Sequence, residues 1–335
     1  MGRDLAIDLG TANTLVYRQG DGIVFDQPTV VALNGASGDV VAMGEDAWDA
    51  IGGPSGNVVA VRPLREGTMT EFDTTERMLE VVLRRVGASR FPRPRVLVAI
   101  PSAASEVERR AIEEAVTFAG GRAVTLVEEP LAAAIGAGLP VHEPMGHLIV
   151  DIGGGRSEMA VVSMGGVVSS RSANVGGFDL DAAIQEHVRQ SYGVAIGERA
   201  AEEIKVAVGS AFPSGASRAA ASVGRELSSG NTVEVEIGED EVRQAMSETI
   251  GRIVHEARRC LAEAPPELTH DVLEGGMFLT GGGSLLRGMD MLLAQECEVP
   301  VHVTERPLET VAIGAGYMLE HLADYQTAFQ LVRRP

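Results

Sequence analysis

The chain has 335 residues, 45% hydrophobic and 22% charged, enough apolar surface for a substantial core and a length at which two domains of similar size are expected. Its 47 acidic against 28 basic residues leave a formal charge of −19, which would repel a nucleic-acid backbone and makes nucleic acid an improbable partner. Cys260 and Cys297 are too few for a disulfide framework, no apolar run reaches bilayer length, and Met1-Gly2-Arg3-Asp4 leaves no room for a signal peptide, so the expectation is a cytoplasmic protein.

Strand patterns at Leu5–Leu9, Thr14–Tyr17, Ile23–Phe25 and Thr29–Leu33 follow one another across short turns, which predicts an antiparallel opening meander. A helix is expected at about Thr74–Val86 and a buried strand at Arg95–Ile100. A second helix then starts on the capping box of Ser105 and Glu108. Ala123–Val127 reads as a strand, and Glu128-Glu129-Pro130 opens the helix Leu131–Ala137, Pro being tolerated in a first turn. The second half repeats the plan. Strands are predicted at His147–Ile152, Glu158–Ser163 and Gly166–Arg171, and helices at Leu180–Tyr192 and Glu198–Val208. Strands at Ser217–Val223 and Thr232–Ile237 form an inserted lobe. A long helix, Glu239–Ala264, is stopped by Pro265-Pro266, and a strand at Met277–Thr280 runs through Gly281-Gly282-Gly283-Ser284 into a helix at Leu285–Gln295.

Two repeats carry most of the information. The segment 5–17 is echoed at 148–161. Each copy is an apolar strand, an Asp (Asp8 or Asp151), a turn of glycine and small residues, and a second apolar strand. Such a turn suits phosphate: glycine admits close approach of the backbone, N–H and hydroxyl groups can hold anionic oxygens, and the Asp can face a counter-cation. The second repeat is Ala-Ile-Gly-Ala-Gly at 134–138 and again at 312–316, near the end of a helical segment each time. Small residues there would let two helices cross closely at a joint between the halves.

The ordered motifs Ile7–Thr14, Ile100-Pro101-Ser102, Val107–Ala111, Glu128–Pro140, Asp151–Gly155, Ile204-Lys205 with Gly209-Ser210-Ala211, and Leu279–Gly283 span essentially the whole chain. In these the sequence resembles the actin, sugar kinase and heat-shock chaperone ATPase superfamily, and most closely the MreB/Mbl family of bacterial actins. The resemblance implies an α/β fold of two ribonuclease H-like domains flanking a nucleotide cleft, each with a smaller inserted subdomain. Domain I would comprise residues 1–139 plus 309–335, and domain II residues 140–308. ATP and Mg²⁺ would be the cofactors. Asp8 and Asp151 would face the metal, through its waters. Gly10, Thr11, Ala12 and Asn13 would hold phosphates from one side and Gly153, Gly154 and Gly155 from the other. Glu129 would orient the attacking water, and Asp151 and Arg156 would complete the catalytic set. Glu202 and Lys205 would meet the ribose and adenine, with Gly281, Gly282 and Gly283 beneath the adenosine.

Two departures from the family pattern stand out. Arg156 occupies the place after the glycine triplet where these proteins usually carry Thr, so it either displaces the catalytic water or stabilises γ-phosphate charge; slow hydrolysis with ATP binding retained is expected. Gly176-Gly177-Phe178-Asp179-Leu180-Asp181 stands where the family usually reads Gly-Gly-Asp-Arg-Phe-Asp.

No G-x-x-x-x-G-K-[ST] loop, H-E-x-x-H motif or G-x-S-x-G elbow occurs, which argues against Walker-type, zinc-protease and serine-hydrolase chemistry. The expected role is an ATP-dependent filament that assembles head to tail with itself, lies peripherally at the inner face of the cell membrane and positions cell-wall synthesis with elongation or morphogenetic proteins. Rival readings are a small-molecule kinase on the same core and an ATP-binding scaffold with little hydrolysis; a chaperone is weaker, for want of a peptide-binding region. Membrane contact is expected either at the turn Gly87–Arg95, with Phe91 among arginines, or at the tail from Tyr325 to Phe329 with Arg333 and Arg334.

Overall fold

The computed structural model describes residues 4–49, 58–65, 68–88, 91–213, 215 and 217–325. In the first half, β1 (Leu5–Leu9), β2 (Asn13–Arg18) and β3 (Gly22–Pro28) form the expected meander. Next come β4 (Val31–Asn34), β5 (Val40–Met43), α1 (Glu45–Asp49), β6 (Val58–Val61), the short pair β7 (Leu64–Arg65) and β8 (Thr68–Met69), and α2 (Phe72–Arg85). Then β9 (Arg95–Ile100), α3 (Glu106–Ala119), β10 (Ala123–Glu128) and α4 (Glu129–Gly136) close the half. The second half runs β11 (His147–Ile152), β12 (Ser157–Ser163), β13 (Gly166–Ala173), α5 (Gly177–Tyr192), β14 (Val194–Ala195), α6 (Glu198–Val208), β15 (Ala219–Glu226), β16 (Thr232–Gly238), α7 (Glu239–Glu263) and α8 (Pro266–Gly275). It ends with β17 (Met277–Thr280), a 3₁₀ turn (Gly282–Leu285), α9 (Met289–Cys297), β18 (Val301–Val303) and α10 (Thr310–Glu320).

The duplication read from the sequence is a duplication of topology. One five-stranded sheet has the order β3-β2-β1-β9-β10 and the other β13-β12-β11-β17-β18. In both, an antiparallel hairpin leads on through a strand parallel to its first member: β1 pairs with β9, and β11 with β17. Both halves carry an insertion between the third and fourth strands, a small β5-β4-β6 sheet in the first and a β14-β15-β16 sheet in the second. This arrangement is the actin-like α/β fold expected from the sequence.

Local chemistry explains most boundaries. Ser105 accepts from the Glu108 N–H while the Glu108 carboxylate accepts from the Ser105 N–H, so the capping box forms at the start of α3. β4 begins two residues later than the expected Thr29, because Thr29 is used elsewhere: its hydroxyl donates to the Gly10 carbonyl at 2.7 Å and its N–H to the Ala12 carbonyl at 2.7 Å. The helix expected at Leu285–Gln295 is broken. Gly288 adopts φ +71°, a left-handed conformation that a helix interior does not hold, so a 3₁₀ turn and α9 lie on either side of it. Pro265-Pro266 ends α7 as read and also opens α8, with proline in the first turn.

Helices α4 and α10 pack together between the two sheets, in an apolar layer that includes Ala6, Leu97, Leu131, Ile149, Ala160, Val311 and Met318. They cross where the five-residue repeat places them. A side chain on Gly136 would put its Cβ 1.9 Å from the Thr310 carbonyl oxygen, and one on Gly314 would reach within 1.8 Å of that of Ala132. Only glycine fits both positions. Cys260 and Cys297 are buried free thiols, each pushed up to about 11 by burial.

No described helix is long and apolar enough to cross a membrane. In the turn before β9, Phe91 is 89% exposed, whereas Arg95 is tied back to Asp4 at 2.6 Å. Tyr325 is buried against His142 and Tyr317, so it belongs to the core rather than to an exposed amphipathic tail. The rest of that expected segment, with Arg333 and Arg334, lies outside the described residues.

Candidate functional site

The two glycine turns face each other across a cleft of about 490 Å³ between the halves, a volume in the range of small-molecule sites. Their equivalence extends to the residue. Asp8 stands opposite Leu15 in the β1–β2 ladder and Asp151 opposite Glu158 in the β11–β12 ladder. Position by position, Gly10, Thr11, Ala12 and Asn13 therefore match Gly153, Gly154, Gly155 and Arg156.

The turns are packed to the limit of glycine. A Cβ on Gly10 would sit 2.7 Å from the Asn13 carbonyl oxygen, and one on Gly154 would lie 2.6 Å from the Ala12 Cβ, which is turn against turn. The second turn is bound to the start of α5: Gly177 N–H donates to the Gly153 carbonyl at 3.0 Å and Phe178 N–H to that of Gly154 at 2.8 Å. The third glycine run closes the site from beneath. Gly281 has φ +78°, and a Cβ there would meet the Asp151 carboxylate at 2.2 Å.

Every residue assigned to the site from sequence lines this one cleft: Asp8, Gly10, Thr11, Ala12 and Asn13; Glu129; Asp151, Gly153, Gly154, Gly155 and Arg156; Glu202 and Lys205; and Gly281, Gly282 and Gly283. Lys205 does not pair with Glu202. Its ammonium lies 2.8 Å from the Asp181 carboxylate and donates to the Gly177 carbonyl at 3.1 Å.

The sequence pattern gives Glu158 no role beyond opening a strand. It is 3% exposed on β12, accepts the Ser102 N–H at 3.2 Å, and has its other carboxylate oxygen 3.6 Å from the Arg156 guanidinium. The available signal was a carboxylate two residues past the glycine turn on an otherwise apolar strand. Arg156 also donates to the Asn174 side-chain oxygen at 3.2 Å. Among the described residues, its Nε and the Glu158 Oε1 are buried without a hydrogen-bond partner. Phe178, noted as a departure from the family pattern, forms part of the wall.

The electrostatics are those of acids crowded out of water. Burial, then the charges of Asp151 and Asp26, push Asp8 up to about 7. Burial pushes Asp151 to about 6 and Glu158 to about 7, the latter opposed by the Ser102 N–H and by Arg156. Glu129 is raised well above the usual carboxylate range by burial and by the neighbouring Glu158, Asp8 and Asp151. Such a set takes up protons more readily than free carboxylates do, and a bound cation would favour the ionised forms. No group of three or more His, Cys, Asp or Glu residues that could hold a metal occurs among the described residues.

Comparison with known proteins agrees with this geometry. The MreB/Mbl protein family profile matches residues 2–327. The chain is 47% identical over 323 residues to the cell shape-determining protein MreB of Escherichia coli K12, covering 95% of this chain and 93% of that one. It is 43% identical over 321 residues to the cell shape-determining protein Mbl of Bacillus subtilis 168, covering 96% of each. Among solved structures, MreB5 of Spiroplasma citri bound to ADP superposes with a TM-score of 0.92 at 31% identity, over 98% of this chain and 99% of that one. Its form bound to AMPPNP gives 0.90 at 31% identity, over 98% of each. The fold, the cleft and these likenesses together place the chain in the MreB/Mbl family of actin-like, cell shape-determining proteins.

Proposed function

We propose that the cleft binds ATP with Mg²⁺ and hydrolyses it slowly, and that the chain polymerises head to tail into filaments that act in cell shape. The observation that carries this reading is the convergence of Asp8 and Asp151 from equivalent strand ends on a cleft lined by the Gly10–Asn13 turn and two glycine triplets. The nucleotide-bound forms of the S. citri relative support it. The sheet topology supports a division into residues 1–139 with 309–335 and residues 140–308, with α10 returning to pack against the first half.

The turn N–H groups and the Thr11 hydroxyl bind phosphate oxygens, and the glycines let the backbone come close enough. ATP supplies the scissile phosphoanhydride; Mg²⁺, when bound, would spread the charge on its phosphates, and Asp8 and Asp151 are the residues that would hold it. Glu129 orients the attacking water. Arg156 supplies a fixed positive charge beside it, and its hold on Glu158 and Asn174 favours retention of ATP over rapid turnover. Glu202 lines the nucleoside end of the cleft, and Lys205 braces α6 against Asp181 and Gly177 there.

Filaments would lie at the inner face of the cell membrane, through the exposed Phe91 turn, and work with wall-synthesis or morphogenetic proteins. Electron microscopy of the purified chain on lipid with ATP, with ADP and without nucleotide tests the reading. Filaments confined to the ATP sample support it; identical images in all three overturn the nucleotide-dependent assembly.

A further inference from the structure

Among the described residues, Arg62 links the two halves beside the cleft. Arg62 follows β6 in the first half. Its guanidinium lies 4.6 Å over the ring of Trp48, from α1 of the same lobe, and 4.4 Å over the ring of Phe178, which opens α5 of the other half. Its NH1 also donates to the Glu198 carboxylate at 2.6 Å, at the start of α6. A planar cation that faces two rings and is ion-paired at one end is geometry that Arg supplies and Lys does not. A second cross-lobe pair, Arg199 with Asp49 at 3.2 Å, has both side chains well exposed and is the kind of ion pair that contributes little.

Phe178 gives this contact its meaning. It lines the nucleotide cleft, and its N–H is hydrogen-bonded to the second glycine turn. Arg62 therefore grips a residue that is itself part of the cleft wall. We propose that Arg62 is a positioning residue: through Trp48, Phe178 and Glu198 it latches the two halves beside the cleft and sets how long a nucleotide stays. The proposal rests on the reading of the cleft as a nucleotide site.

The latch contains its own reporter, since Trp48 is the one tryptophan in the sequence. The experiment follows release of a fluorescent N-methylanthraniloyl-ADP with Mg²⁺ by stopped flow, together with Trp48 emission, in the full chain and in Arg62→Ala, Arg62→Lys, Phe178→Leu and Arg199→Ala. Arg62→Ala is expected to release nucleotide roughly tenfold faster, with Trp48 emission shifted toward that of an exposed indole. Arg62→Lys and Phe178→Leu fall between it and the wild type. Arg199→Ala stays at the wild-type rate, and melting temperatures change little throughout. A folded Arg62→Ala with the wild-type release rate overturns the latch and leaves the nucleotide site standing, and so does a wild-type rate in Arg62→Lys if the Ala variant does not fold. A wild-type chain that takes up no labelled nucleotide overturns the reading of the site, and the latch with it.

Discussion

The first and second glycine turns occupy the same place in their sheets and do different work. At the four matched positions the first turn presents Gly10, Thr11, Ala12 and Asn13, which are small and uncharged, and the second presents Gly153, Gly154, Gly155 and Arg156. Two positions further on, a buried Leu15 in the first hairpin corresponds to a buried Glu158 in the second. Asn13 donates to Asp26 at 3.2 Å, whereas Arg156 donates to Asn174 and faces Glu158. The turns are alike in backbone, while Arg156 and Glu158 in the second hairpin stand where the first has the uncharged Asn13 and Leu15. The two hairpins share their backbone and differ in the charge they carry beside the turn.

That comparison depends first on the halves being fixed face to face. Gly314→Val drives a side chain into the Ala132 carbonyl at the α4–α10 crossing, and a loss of about 3 kcal/mol or more is expected, read as a fall in thermal melting temperature or loss of soluble protein. Next comes the contact between the turns. Gly154→Val pushes against Ala12, so ATP affinity by calorimetry should fall roughly 100-fold while the fold survives. Thr11→Val, at the matched position of the first turn, removes one hydroxyl and is expected to cost about tenfold. Equal losses in the two variants would erase the asymmetry.

Removing the charge from the second turn is a smaller change. Arg156→Thr should raise steady-state phosphate release by about tenfold and lower the preference for ATP over ADP. Equal rates in wild type and variant would remove Arg156 from the mechanism.

A pH-dependent effect on stability is also expected. Asp8 has its pKa raised above the unfolded value of 3.8 to about 7, so the folded state binds its proton more tightly than the unfolded state does. The stabilisation this provides is complete below about pH 4 and is lost as pH rises through about 7. Asn mimics the protonated acid. The ligand-free Asp8→Asn variant should therefore be more stable than wild type by about 1–3 kcal/mol at pH 8, with the gain shrinking at pH 5.5. Denaturant melts at the two pH values check the sign, and a variant less stable at pH 8 would contradict it.

Much of the site was legible because its parts are local. An Asp, a glycine turn and a flanking strand pair lie within one short hairpin, so once the hairpins form, Asp8 and Asp151 reach equivalent strand ends regardless of the rest of the chain. The helix crossing was legible for the same reason, since the repeat marked both contacting glycines. What was not legible depends on long-range packing. Arg62 gives no signal until α5 brings Phe178 to it. Lys205 could be placed on a helix face, but its partner Asp181 lies on a different helix. Gly288 looks like an ordinary residue in an apolar helical pattern until its left-handed backbone divides the 3₁₀ turn from α9.

Titration calorimetry of Mg²⁺–ATP into wild type, Asp8→Ala and Asp151→Ala tests the central claim most directly. The account predicts saturable one-to-one binding by the wild-type chain and a loss of roughly 100-fold or more in each variant, equal in size because the two acids are equivalent by register. Unchanged affinity in both variants, or no heat of binding in the folded wild type, would contradict it.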